Sequence, residues 1–291
     1  MHTKATISTL NYYQSLGYAV DMLRLDLVHP IVSGNKWYKL KAYLQEAKEQ
    51  NAETLASFGG PYSNHIVALA YAGQYLGFKT IGYIRTNANE PITPSLQEAI
   101  NYGMQLIFLG RTHFQEKKKE IIQELSSTVY YIDEGGYGKL GCVGFSSIQE
   151  EVDLGNYEYI LAAVGTGTML AGLISNSKDH QKIIGIPVLK NEESIYNEIN
   201  AILPDPSKPY TLLHQFHQGG YAKTTPSQID SMNTFWKHTG IPTDIVYTGK
   251  LVTAFVQLLK ENYFKNNAKI LLVHSGGLQG NRSVQPGVLL F

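Results

Sequence analysis

The sequence predicts an α/β protein built on parallel sheets that helices cover. Two observations carry this expectation. Short apolar runs alternate with amphipathic segments almost throughout the 291 residues. Strand–helix alternation on that scale belongs to parallel sheets with helices on their faces. Glycine-marked turns also follow strands or precede helices at "GGPYSNH" (59–65), "EGGYGKLG" (134–141), "GTGTMLAG" (165–172) and "HSGGLQGN" (274–281). Loops of this kind gather beyond the carboxyl ends of parallel strands, where ligands bind.

The elements follow in order. In "PIVSGNKWYKLKAYLQEA" (30–47), Trp37, Leu40, Leu44 and Ala47 share one apolar stripe, which predicts a helix. Strand-like runs come at 54–60, 79–86, 105–110 and 129–133, then at 157–165, 182–189, 210–216 and 268–277. Helical patterns occupy 63–76, 93–103, 113–125, 226–238 and 250–263. The start of the 226–238 helix is marked by Thr225 as cap, Pro226 at the first helical position and Gln228 to complete a capping box. The run "EKKKE" (116–120) reads as a solvated helix face. Eight strand runs could close as a barrel or divide between two open sheets. With no repeat and no long linker, any domain boundary would be a crossover of the chain.

Composition removes several function classes. Twenty-four basic residues balance twenty-four acidic ones, so no global field points to nucleic acid or an anionic membrane. Cys142 is the single cysteine, which excludes an intrachain disulfide and suits a reducing compartment. The long uncharged stretch from Tyr159 to Ser177 is too rich in glycine, serine and threonine for a membrane span. The N-terminus has no apolar core of signal-peptide length, so a soluble cytoplasmic protein is expected. The nine histidines form neither HExxH nor a cysteine–histidine cluster, so no catalytic metal is expected. Ser63 and His65 are two apart on a helix and face differently, which argues against a hydrolase pair.

The candidate chemistry begins with a cost. Lys36 and Lys39 lie on one face at a helix N-terminus, where the macrodipole disfavours cations. A lysine amine can form a Schiff base with an aldehyde, the chemistry of pyridoxal phosphate. A neighbouring cation favours the neutral, reactive amine. Gly165-Thr166-Gly167-Thr168 runs from a strand into an apolar helix and offers backbone N–H groups to a phosphate. It lacks the third glycine of a dinucleotide fingerprint, where Leu170 stands, and has no P-loop lysine. Lys36 could hold an aldehyde while Lys39, one turn on, approaches the phosphate.

The stretch "SGNKWYKLK" resembles the lysine segment of the 1-aminocyclopropane-1-carboxylate deaminase and D-cysteine desulfhydrase family. "GGPYSNH", "EGGYGKLGCVGF", "GTGTMLAG", "GGYAKTTP", "DIVYTGK" and "HSGGLQG" resemble further segments of that family in the family's order, over about residues 20–281. The resemblance implies a fold type II (tryptophan synthase β-like) enzyme: two open parallel-sheet domains with pyridoxal 5'-phosphate in the cleft between them. Residues 1–40 with 146–291 would form the large cofactor-binding domain and 41–145 the small one. Lys36, Ser63, Gly167 and Tyr247 would then converge, and the N-terminal segment would return to the later sheet.

By the same resemblance Lys36 binds the cofactor covalently, and Lys39 lies near the phosphate. Asn64 meets the ring's phenolic oxygen, and Thr166, Gly167 and Thr168 cradle the phosphate. Ser63 faces the substrate, Tyr247 stacks on the ring and Tyr221 lies on its substrate side. Thr248 stands where ring-opening members carry glutamate against the pyridine nitrogen, and Ser275 where they carry leucine. Tyr38, Leu25 and Ile245 also depart from the family pattern. The implied activity is β-elimination from D-cysteine, giving pyruvate, ammonia and sulfide, by a homodimer acting on a small amino acid. The alternatives are 1-aminocyclopropane-1-carboxylate deamination and a non-catalytic protein that binds a phosphorylated ligand.

Overall fold

The computed structural model describes residues 3–190 and 192–291. One sheet has six strands in the order β1 (Ile7–Thr9), β2 (Ala19–Arg24), β10 (Lys269–His274), β7 (Tyr159–Val164), β8 (Lys182–Pro187) and β9 (Thr211–Leu212). A second has four, in the order β5 (Met104–Phe108), β4 (Lys79–Ile84), β3 (Thr54–Gly59) and β6 (Val129–Ile132). Both sheets are open, so the barrel is excluded. The helices are α1 (Asn11–Ser15), α2 (Asn35–Glu49), α3 (Asn64–Leu76), α4 (Pro94–Asn101) and α5 (Phe114–Glu124), then α6 (Lys139–Ser146), α7 (Thr168–Ser175), α8 (Glu192–Ile202), α9 (Pro226–Thr239) and α10 (Thr248–Lys260). Among the described residues no helix is long and apolar enough to cross a membrane.

The N-terminal segment does return to the later sheet, where β2 runs parallel to β10 with Arg24 level with His274. The β1–β2 pair is antiparallel, the exception among otherwise parallel pairings. Its link, residues 10–18, is shorter than the dozen or so residues that a parallel crossover needs.

Both faces of each sheet are covered, as the continuous apolar runs require. On β7, Ile160, Ala162 and Val164 enter a core with Met169, Leu170 and Ile174 of α7 and Phe145 of α6. The intervening Tyr159, Leu161 and Ala163 enter the opposite core with Leu251, Phe255 and Leu258 of α10. In the small sheet, Leu55 faces α2, α3 and α4, while Ala56 and Phe58 face Phe114 of α5.

Three local readings needed correction. Thr225 caps α9 by accepting the Gln228 N–H at 3.2 Å. Gln228 does not close the capping box, because its amide is buried and donates to the Ile245 carbonyl at 2.7 Å. The expected strand at 210–216 pairs only over Thr211–Leu212 and then enters a 3₁₀ turn at His214–Phe216. The "EKKKE" face is not wholly solvated, since Lys118 turns inward to Asp133 at 2.7 Å.

Because the strands of each sheet, β1 apart, are parallel, their carboxyl ends share an edge, and those two edges meet. Asn64, after β3, donates to the Gly277 carbonyl, after β10, at 3.2 Å. Arg282 reaches Glu98 of α4 at 2.8 Å.

Candidate active site

The start of α2 is pressed against the end of β10. Gly34 precedes the helix at φ 69°, and a Cβ there would fall on the Ser275 carbonyl, so only glycine fits. The Asn35 N–H donates to that carbonyl at 3.0 Å. One of the helix's orphan donors is thereby satisfied by the other sheet. Lys36 follows immediately, and its Nζ donates to Asn35 Oδ1 at 2.8 Å. Lys39 is 4% exposed and lies 3.5 Å from the Gly135 carbonyl. Burial lowers the Lys36 amine to about 8 against the opposing pull of the Asp244 carboxylate. Burial, then the Lys36 charge, pushes the Lys39 amine well below its ordinary range. The sequence therefore sets two desolvated amines side by side, the condition for a nucleophilic lysine at neutral pH.

The Ser63–Asn64 loop forms the facing wall. Ser63 Oγ accepts the Ile66 N–H at 3.3 Å and so caps α3. Asn64 Oδ1 is buried and has no partner among the described residues. His65 Nε2 lies 2.9 Å from Ser57 Oγ rather than near Ser63, so no serine–histidine hydrolase pair exists. Burial and the charges of Lys36 and Lys39 drive the His65 imidazole down to about 3, which keeps it neutral.

The glycine–threonine loop closes the floor. Gly167 begins α7 at φ 81°, and a Cβ there would lie 2.5 Å from Ile199. Thr166 and Thr168 bring their hydroxyls within 3.1 Å of each other. A Cβ on Gly135 would lie 3.0 Å from Thr166, and one on Gly165 would lie 3.1 Å from the Tyr247 ring. The "EGG" turn that receives Lys39, the phosphate-type loop and Tyr247 are therefore contiguous. Tyr221 meets Tyr247 edge-on, with centroids 6.3 Å apart and planes at 72°. Burial, then Tyr221, raises the Tyr247 phenol well above its ordinary range.

Asp244 escaped the sequence reading, yet it organises this corner. Its fully buried carboxylate accepts the N–H groups of Val246 at 2.8 Å, Tyr247 at 2.9 Å and Thr248 at 2.8 Å, and the Thr248 hydroxyl at 2.7 Å. A carboxylate at the start of α10 also suits the helix dipole. Its signal was present, an aspartate just before an apolar helix. His274 is fully buried, with Nε2 2.7 Å from the Pro242 carbonyl and Nδ1 accepting the Gly276 N–H at 3.2 Å. It closes the loop rather than lining the cleft. Tyr38, in the middle of the lysine helix, turns away and donates to Glu151 at 2.7 Å.

The contacts above thus draw Lys36, Lys39, Ser63, Asn64, Thr166, Gly167, Thr168, Tyr221, Tyr247 and Thr248 into one cleft from both sheets. The residues fit a phosphate-bearing aldehyde. A desolvated amine can bond it, and a second amine and a left-handed helix start can take an anion. A buried amide oxygen without a partner is open to a ligand. A surface hollow elsewhere, lined by Lys182, Lys265 and Lys269, lies at the opposite, amino-terminal edge of the strands.

Comparison with known proteins identifies relatives of the chain. The Arabidopsis thaliana protein named bifunctional D-cysteine desulfhydrase/1-aminocyclopropane-1-carboxylate deaminase is 27% identical over 86% of this chain and 70% of its own. A 1-aminocyclopropane-1-carboxylate deaminase of Rhizobium rhizogenes is 26% identical over 84% and 82%. The crystal structure of an ACC deaminase homologue superposes with a TM-score of 0.84 at 24% identity, covering 96% of this chain and 91% of the other, which shows a shared fold. The model of the pyridoxal-phosphate dependent enzymes matches residues 14–276, and the chain belongs to that family.

Proposed function

We propose that this protein is a lyase that removes the Cβ substituent of a small D-amino acid, with D-cysteine as the reference substrate. D-cysteine and water would give pyruvate, ammonia and hydrogen sulfide. The observation that carries this choice is Thr248. Its hydroxyl donates its one proton to Asp244 at 2.7 Å, so it has neither charge nor proton to lend to a ring nitrogen. Ser275, the second position, is also a small hydroxyl residue rather than leucine. A weakly polarised ring suffices when thiolate leaves from Cβ. It suits the breaking of a carbon–carbon bond less well.

Bound pyridoxal phosphate supplies an aldehyde that captures an amine and a conjugated ring that takes up the electron pair of the substrate's α-carbon. The chain supplies the rest. Lys36 would hold the cofactor, and in its neutral form it is a base able to accept a proton, as its lowered affinity for protons favours. Lys39 and the Gly167 loop would take the phosphate. Asn64 would meet the phenolic oxygen, Tyr247 would pack against the ring, and Ser63 and Tyr221 would serve the substrate. We assign residues 1–40 with 146–291 to the large domain and 41–145 to the small one, in keeping with the membership of the two sheets.

A second reading, deamination of 1-aminocyclopropane-1-carboxylate, draws support from the names of the Arabidopsis and Rhizobium relatives. One experiment separates the two. The holoenzyme is incubated with D-cysteine, L-cysteine and the cyclopropane amino acid, and keto acid and sulfide are assayed. Sulfide from D-cysteine with slight ring opening is expected. Efficient ring opening without sulfide would reverse the choice.

A further inference from the structure

The segment before and after Tyr221 has an unusual backbone. Gln218 (φ 51°), Gly219 (φ 93°), Gly220 (φ 113°) and Ala222 (φ 54°) all lie in the left-handed region. Two of these are not glycine, and each such residue stores strain that its surroundings must offset. The backbone persists because something holds it from beneath.

That group is Lys250. It stands on the first turn of α10 and is 0% exposed. Its Nζ donates to the carbonyls of Gly220 at 2.6 Å and His217 at 2.8 Å, and lies 3.4 Å from that of Val188. Val188 directly follows β8, so the ammonium ties the 217–220 segment to the large sheet. A buried cation is costly, and an apolar side chain of equal volume is often the more stable choice. Burial does weaken its hold on the proton, to about 8, with Asp244 acting the other way. The cost is retained at a point one residue from Tyr221, half exposed, whose ring edge abuts Tyr247. Three main-chain carbonyls around one ammonium are the coordination that a free monovalent cation would seek.

We propose that the Lys250 ammonium acts as a built-in monovalent cation whose carbonyl nest fixes the Tyr221 segment over the cleft. Lys250 is then a positioning residue for the substrate, a role that rests on reading Tyr221 as the substrate-side aromatic. The holoenzymes of Lys250→Ala and Lys250→Met are compared with the parent by amide hydrogen exchange over 214–224 and by kcat/KM on D-cysteine. Both variants should keep the cofactor's visible band, exchange faster in that segment and lose roughly 100-fold in kcat/KM. Added methylammonium or potassium should reverse both losses in Lys250→Ala, where the space is open. It should not do so in Lys250→Met, where the space is filled. Parent-like exchange in both variants overturns the proposal, as do losses in Lys250→Ala that no cation reverses. Failure of both variants to fold even with methylammonium present also overturns it, in favour of a purely structural role. Exchange that rises and is rescued while activity stays unchanged upholds the nest and removes Tyr221 from the substrate's side. The exchange readout needs no turnover, so it stands apart from the choice of reaction.

Discussion

The two walls of the cleft are finished to different degrees. On the large-sheet wall the buried charged groups are saturated. Asp244 accepts four hydrogen bonds, and Lys250 meets three carbonyls. On the small-sheet wall, Asn64 Oδ1 and His65 Nδ1 are buried without partners among the described residues. An unsatisfied buried polar atom costs about 1–3 kcal/mol, which a fold tolerates where a ligand will make the bond. The large-sheet wall is saturated only in its charges, since Thr243 Oγ1 and Gln279 Oε1 are also buried without partners among the described residues. Its ionic groups are scaffold, and the Asn64 amide is where binding can be completed. The lysine pair stands between them, two amines desolvated in advance of their partner.

Three changes probe this difference, in falling order of effect. Lys36→Ala removes chemistry but no scaffold. Activity should fall by about 10²–10⁴-fold, and borohydride should no longer fix the cofactor to the chain. The melting point of the apoenzyme should hold or rise, because a desolvated amine beside Lys39 is gone. A large drop in melting would mean that Lys36 is part of the scaffold after all.

Asp244→Ala attacks the scaffold itself. Four donors lose a buried acceptor, and denaturant unfolding should register a loss of about 3–5 kcal/mol. The milder Asp244→Asn tests the electrostatics. If Lys36 is the amine that captures the aldehyde, as we propose, it does so in its neutral form, so the reconstitution rate should rise with pH and level off just above about 8, not near the ordinary 10.5. Asp244 favours the ammonium form of Lys36. Its neutralisation should therefore move this edge to lower pH, as followed by visible absorbance. An edge that stays put or moves up would show that the carboxylate does not act on Lys36.

Ser63 should show small effects on both stability and activity, because it belongs to both roles. Ser63→Ala should cost about 1 kcal/mol through the lost cap, and Ser63→Gly only a few tenths. If Ser63 also touches the substrate, both variants should lose the same activity despite their different stabilities. Activity that tracks stability instead would leave Ser63 as a cap alone.

Much of the site was legible because it breaks local rules. Lysines at a helix start and glycines in strand-to-helix turns stand out against the background. The parallel sheets were legible from apolar runs that need cover on both faces. What escaped was tertiary by nature. Nothing local distinguishes Lys250 from an ordinary surface lysine, since its carbonyl partners lie 30 to 62 residues away in the chain. Asp244 reads as a helix cap, and its influence on Lys36 exists only once 36 and 244 share a cleft. Gln228 satisfied the capping-box spacing, yet its amide was taken by Ile245, a partner no spacing rule anticipates. The helix Glu192–Ile202 was passed over although Ile195, Ile199 and Ile202 repeat at helical spacing.

The strand order carries a consequence for how the chain is made. β2 does not touch β7; β10 lies between them and pairs with both. During synthesis, residues 19–24 must wait for residues 269–274 before the large sheet can close. The four strands of residues 54–132 are complete long before that. The small sheet can therefore fold on the ribosome while the first two strands remain edges in search of a neighbour, exposed to pairing with other chains. A chain cut short before residue 269 would leave that search unfinished. Capture of the cofactor must likewise follow the synthesis of residue 275, because the Ser275 carbonyl accepts the Asn35 N–H beside Lys36.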